Sequence, residues 1–138
     1  MLRAIVICPD AEVNGRLESV LTETGIVTVT RVMDHYPNSL ELLRFLRAHA
    51  PQVVFLSTQS MQKANEVVRE IEKNTPGVQI VAIGHTCDPQ LLLELMRAGI
   101  REYAAYPFER VTVTETLMRI RVSVTDRKST RLNSSHSC

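Results

Sequence analysis

Pro51-Gln-Val-Val-Phe-Leu-Ser57 is a continuous apolar run, too short for a helix and rich in strand-forming residues. Such a run, without alternation, reads as a parallel strand buried on both faces. In an open α/β sheet, ligands bind just beyond the carboxyl ends of the strands. Ser57 is therefore delivered to the place where chemistry is expected. A hydroxyl there cannot form an acyl phosphate, and it supplies no fixed negative charge to hold Mg²⁺.

Working outward, four further apolar runs read as strands: Arg3–Cys8, Thr28–Val32, Gln79–Ile83 and a short one at Tyr103–Ala105. Helical patterns separate them. Asp10 caps the first, whose apolar face is Val13, Leu17, Val20 and Leu21, and Gly25 ends it. Asn38 with Glu41 has the form of a capping box opening the second, which stops before Pro51. Met61, Ala64, Val67, Val68 and Ile71 stripe the third, closed by Pro76-Gly77. Asp88-Pro89 opens the fourth, which runs to Gly99. The fifth covers about 110–124. Its start, Val111-Thr-Val-Thr, is locally strand-like, whereas Val113, Leu117, Ile120 and Val124 keep helical spacing. Alternating strands and helices predict an α/β fold: a doubly wound, five-stranded parallel sheet with right-handed crossovers.

A length of 138 residues, with 44% hydrophobic and 22% charged, suits one domain with a single core. No apolar stretch approaches the ~20 residues that span a bilayer, and the opening Met1-Leu-Arg-Ala-Ile-Val-Ile-Cys8 reads as a strand and not as a signal peptide. The expected location is the cytoplasm. Cys8, Cys87 and Cys138 are odd in number and form no CxxC or disulfide framework. A net charge of +1 gives no global field toward nucleic acid or membrane. The stretch 126–138 has one large apolar residue and no periodicity, so it is expected to be a disordered tail. It also resembles translated adapter sequence from broken ends of draft assemblies, which sets residues 1–125 apart as the domain and leaves the natural chain to continue past it.

Three stretches carry a likeness to a known family: Ile7-Cys-Pro-Asp10, Val53-Val-Phe-Leu-Ser57, and Met96-Arg-Ala-Gly-Ile-Arg-Glu-Tyr-Ala-Ala-Tyr-Pro-Phe108. Across about residues 2–124 the chain resembles the response-regulator receivers, which have a flavodoxin-like (βα)5 sandwich. The resemblance implies a reaction centre, and this chain departs from it at most positions. Ser57 stands at the phosphoacceptor position, where the family has aspartate. Of the acidic Mg²⁺ pair, Asp10 remains, with Ala11 beside it and Glu12 one residue on. Gly84 replaces the Ser or Thr that would bond the phosphoryl group, and Tyr106 replaces the lysine that would neutralise it. Losing acceptor, hydroxyl and lysine together removes the main terms of phosphoryl transfer.

The wording of Ile5-Val-Ile-Cys-Pro-Asp10, Leu46-Arg-Ala-His-Ala-Pro51, Val81-Ala-Ile-Gly-His85 and Met96-Arg-Ala-Gly-Ile-Arg-Glu-Tyr103 is similar to the amino-terminal pseudo-receiver of tight-adherence (Flp) pilus assembly ATPases of the TadZ/CpaE type. There the domain precedes a MinD/ParA-like ATPase and helps localise it. This chain holds no Gly-x4-Gly-Lys-Ser/Thr loop, so the resemblance implies the receiver-like half alone.

Three functional classes follow. The first is a non-catalytic pseudo-receiver that binds protein partners or itself, with no enzyme activity, cofactor, nucleic acid or membrane insertion. The fourth helix carries more apolar surface than one buried stripe needs, and the expected face comprises Leu92, Met96, Arg97, Arg101, Tyr106 and Arg110, with Arg119 and Arg121 on its rim. Against this, some of the leucines could simply lean into the core. The second is a phosphorelay receiver keeping some Mg²⁺ or phosphoryl response through Asp10 and Glu12, although Asp10 also serves as a plain helix cap. The third is a metal or thiol sensor built on Cys8 and Cys87 with His85, a spacing that matches no familiar metal signature. Tyr106 has two readings: a switch residue of the output face, or a ring packed over the vacated pocket with its hydroxyl in water.

Overall fold

The computed structural model describes residues 1–86 and 88–125. Cys87 and the stretch 126–138, and with them the tail, lie outside the described residues. Strands and helices alternate in the order β1 (Leu2–Ile7), α1 (Ala11–Thr24), β2 (Val27–Met33), α2 (Ser39–His49), β3 (Val53–Ser57), α3 (Met61–Asn74), β4 (Gln79–Gly84), α4 (Pro89–Arg97), β5 (Glu102–Ala105) and α5 (Arg110–Thr125). The strands form one parallel sheet in the order β2-β1-β3-β4-β5. Order reverses between β1 and β3, and this switch point opens a crevice at their carboxyl ends.

Helices cover both faces, so the central strands are apolar throughout. Side chains of β1 and β3 alternate between two cores. Ala4, Val6, Val53 and Phe55 pack with Leu17, Val20, Val113, Leu117 and Ile120 of α1 and α5. Ile5, Ile7, Val54 and Leu56 pack with Leu42, Leu46, Val67, Ile71 and Leu95 of α2, α3 and α4. Each fully buried Leu, Ile or Val contributes roughly 1.5–3 kcal/mol against exposure.

Local signals fix the helix ends. The Asp10 carboxylate accepts from the Glu12 and Val13 amides, and Gly25 closes α1 in the left-handed region at φ 67°. Asn38 Oδ1 accepts from the Glu41 amide at 2.8 Å, but the Glu41 carboxylate turns to His35 Nε2 at 3.0 Å. The expected capping box is thus made on one side. Helix α5 starts at Arg110 despite its β-branched opening. Thr114 and Thr116 turn their hydroxyls back to the carbonyls of Arg110 and Thr112, while Val113 and Leu117 bury their side chains. Tertiary burial outweighs the local strand propensity.

Candidate functional site

The register brings the ends of four strands, β1, β3, β4 and β5, together. Ile7 lies opposite Leu56, Ser57 opposite Ile83, and Gly84 opposite Ala105. Beyond them opens a cavity of about 380 Å³ lined by Cys8, Asp10, Ser57, Thr58, Gly84 and His85, with Val13 and Leu91 as apolar walls. A groove of about 460 Å³ lies elsewhere, between α3 and α4, lined by Arg69, Glu72, Glu94 and Arg97. The strand-end cavity is the candidate site, because the crevice of the fold and the chemically suggestive residues coincide there.

Its polar groups are spent on one another. Ser57 is buried, and its Oγ accepts from the Gln59 amide at 3.1 Å. The Ser57 carbonyl accepts from the Tyr36 hydroxyl at 2.7 Å, and that same hydroxyl accepts from the Ser60 amide at 3.2 Å. Asp10 caps α1 with Oδ1 and places Oδ2 3.6 Å from His85 Nε2. The Val13 amide above all, then the Glu12 amide and His85, hold its carboxyl below the usual range. The Cys8 thiol is buried beside Ser57, and desolvation pushes its pKa up, which favours an unreactive thiol over a thiolate.

Tyr106 stands beside the cavity through its contact with His85. Its ring packs against His85 at 5.0 Å between centroids and edge-on to Phe108 at 5.9 Å. Its hydroxyl donates to Glu12 Oε1 at 3.0 Å, so it is bound to α1 and not left to water as one reading had it. That bond, more than desolvation, raises the phenol pKa. The Tyr106–Pro107 peptide is cis. Among the described lining residues of the cavity there is no lysine or arginine. Among the described residues, no group of three His, Cys, Asp or Glu side chains could hold a metal ion. What the arrangement offers chemically is a set of polar groups already bonded to one another.

The structure gathers Cys8, Asp10, Ser57, Gly84 and His85 around one cavity, and joins Glu12 to Tyr106 by a hydrogen bond. Cys87 lies outside the described residues. The expected interaction residues are dispersed. Leu92 is half-buried against the α2–α4 core, and Tyr106 turns toward α1. Arg97 lines the α3–α4 groove. Arg119, a rim candidate, spends its guanidinium on Glu102 at 2.9 and 3.1 Å. Met96, Arg101 and Arg110 are exposed. Sequence reasoning missed Tyr36, Thr58 and the exposed Val111, Met118 and Val122. Nothing in the spacing of Tyr36 or Thr58 marks them, but the heptad-like spacing of Val111, Met118 and Val122 was a readable signal.

Among the described residues, no helix is long and apolar enough to cross a membrane. None of the curated proteins matches the chain by sequence. The fold is that of the receivers. A pilus assembly protein (CpaE) from Burkholderia thailandensis superposes with a TM-score of 0.75 at 21% identity, covering 88% of this chain and 99% of that one. A CheY-like protein (TadZ) from Pseudomonas aeruginosa gives 0.72 at 24% identity, covering 87% and 99%. A response regulator from Thermotoga maritima gives 0.74 at 20% identity, covering 89% and 99%. In sequence, residues 13–129 match the family described as pilus assembly protein TadZ, N-terminal. The chain, with its receiver fold, belongs to the TadZ N-terminal family of pilus assembly proteins.

Proposed function

We propose that this domain is a non-catalytic pseudo-receiver that works by binding protein, through the edge of the sheet where α4, β5 and α5 meet. The observation that supports this reading is the state of the strand-end cavity. Its acceptor position is a buried serine already bonded to a loop amide, and there is no lysine or arginine among its described lining residues. A centre without acceptor carboxylate or neutralising charge has no route to phosphoryl transfer. Meanwhile α4 exposes Leu93 and Met96, and α5 exposes Val111, Met118 and Val122. On α5 these three lie opposite the buried Val113, Leu117 and Ile120. Surplus apolar surface on both helices flanking an edge strand suits an interface.

In the setting implied by the TadZ/CpaE likeness, residues 1–125 would form the cytoplasmic positioning domain of a MinD/ParA-like ATPase engaged in pilus assembly. Self-association is the simplest form of the interaction. Sedimentation velocity should show the average mass of the chain rising with concentration, and Met118→Glu should abolish the rise. A strict monomer at high concentration would contradict self-association through this edge.

A further inference from the structure

Asn38-Ser-Leu-Glu41 has the sequence of a capping box, yet only half of the box is closed. Asn38 Oδ1 accepts from the Glu41 amide at 2.8 Å. The return bond, from the Asn38 amide to the Glu41 carboxylate, is not made, and among the described residues that amide has no acceptor. The carboxylate is at His35 instead, its two oxygens 3.1 and 3.0 Å from Nε2. The other ring nitrogen, Nδ1, lies 3.0 Å from Asp34 Oδ1. A neutral imidazole has one N–H, and its bare nitrogen repels a carboxylate oxygen. Both contacts are therefore attractive only for the imidazolium, which donates from both nitrogens. Asp34, and after it Glu41, accordingly raise the His35 pKa above its ordinary 6.5. Of the other charges around the loop, Arg31 on β2 acts on Asp34. Helix α3 brings Lys63, Glu66 and Glu70 to the crevice beside Asn38, where Glu70 is held by Ser39 and Asn74. His35 itself is exposed, so its proton exchanges with water.

We infer that Glu41 is the moving part of a proton-operated switch at the start of α2. With His35 protonated, the Glu41 carboxylate sits on the imidazolium, which joins it to Asp34 just past the end of β2. When that proton leaves to water, one ring nitrogen loses its N–H, and the carboxylate turns back to the Asn38 amide and closes the box. Two sites thus compete for one carboxylate. The imidazolium offers a charge-assisted bond, and the amide offers the positive end of the helix dipole. Glu41 is paired in both states, so the exchange follows the proton alone. The sign is definite: the clamp is complete below about 6.5 and is lost as pH rises through the folded value. The same loop carries Tyr36, whose hydroxyl bonds the Ser57 carbonyl and the Ser60 amide, so the switch lies next to the strand-end site. It is a property of the free chain and stands apart from the interaction reading above.

The test follows the ¹³C,¹⁵N-labelled 138-residue chain by ¹³C-detected NMR through the histidine range, about pH 5.5 to 8.5. It reads the His35 ring, the Glu41 carboxyl ¹³C and the Asn38 amide ¹⁵N. All three are expected to move with one shared midpoint above 6.5. His35→Ala should fix the Asn38 and Glu41 signals near the parent's high-pH positions, since the box is then closed throughout. Glu41→Ala should hold the Asn38 amide still and bring the His35 midpoint down toward 6.5. Should His35→Ala disturb the loop, Asp34→Asn gives the same reading with the imidazole kept, by lowering the shared midpoint of all three signals. An Asn38 amide that stays put while His35 titrates overturns the inference. So does an Asn38 amide resting at the parent's low-pH position in a folded His35→Ala chain, or an Asp34→Asn midpoint that does not move.

Discussion

The Tyr36 hydroxyl donates to the Ser57 carbonyl at 2.7 Å and accepts from the Ser60 amide at 3.2 Å. One phenol from the loop between β2 and α2 thus holds both sides of the turn that leaves β3. Ser60 in turn caps α3 through its side chain. Tyr36→Phe keeps the ring and leaves a part-buried carbonyl and amide unpaired. The expected loss is about 1–3 kcal/mol, read from urea unfolding. Ser57→Ala should cost less, because the Gln59 amide it frees lies near the surface of the turn.

The bond from Tyr106 to Glu12 sets a titration. The Glu12 carboxylate holds the phenolic proton, which raises the Tyr106 pKa above its ordinary value of 10. Glu12→Ala should bring the Tyr106 titration back toward that value, which ring-¹³C shifts followed against pH would show. An unmoved Tyr106 midpoint would mean that Tyr106 is not held to α1 by this bond.

Asp10 gives a pH dependence with a definite sign. Its folded-state pKa is lowered from 3.8, first by the Val13 amide and then by the Glu12 amide and His85. A depressed pKa contributes stability that is complete above the unfolded value and is lost as pH falls through the folded one. The gap in stability between the parent chain and Asp10→Ala should therefore be full at pH 6 and close on acidification below about 4. Urea unfolding at stepped pH measures it, and a gap that stayed constant into acid would show that the carboxylate charge takes no part in the cap.

Much of the fold was legible because each of its signals is local. Continuous Val/Ile/Leu runs, Asp10, Asn38 and Asp88 as caps, and Gly25 as a stop all act within a few residues. Helix α5 was harder, since its β-branched start is settled by burial against α1, which no local pattern encodes. The site divides in the same way. That Ser57 and Gly84 meet at one cavity follows from where their strands end. The bonds around it could not be read. Tyr36 reaches Ser57 across 21 positions, and Tyr106 reaches Glu12 across 94.

The central claim is that the strand-end cavity does not respond to a phosphoryl group. The most direct test titrates the ¹⁵N-labelled chain with beryllofluoride and Mg²⁺ while recording amide shifts. The account predicts that the signals of Asp10, Ser57 and Gly84 remain where they are through millimolar additions. Saturable shifts centred on those three residues would contradict it and return the domain to the phosphorelay receivers.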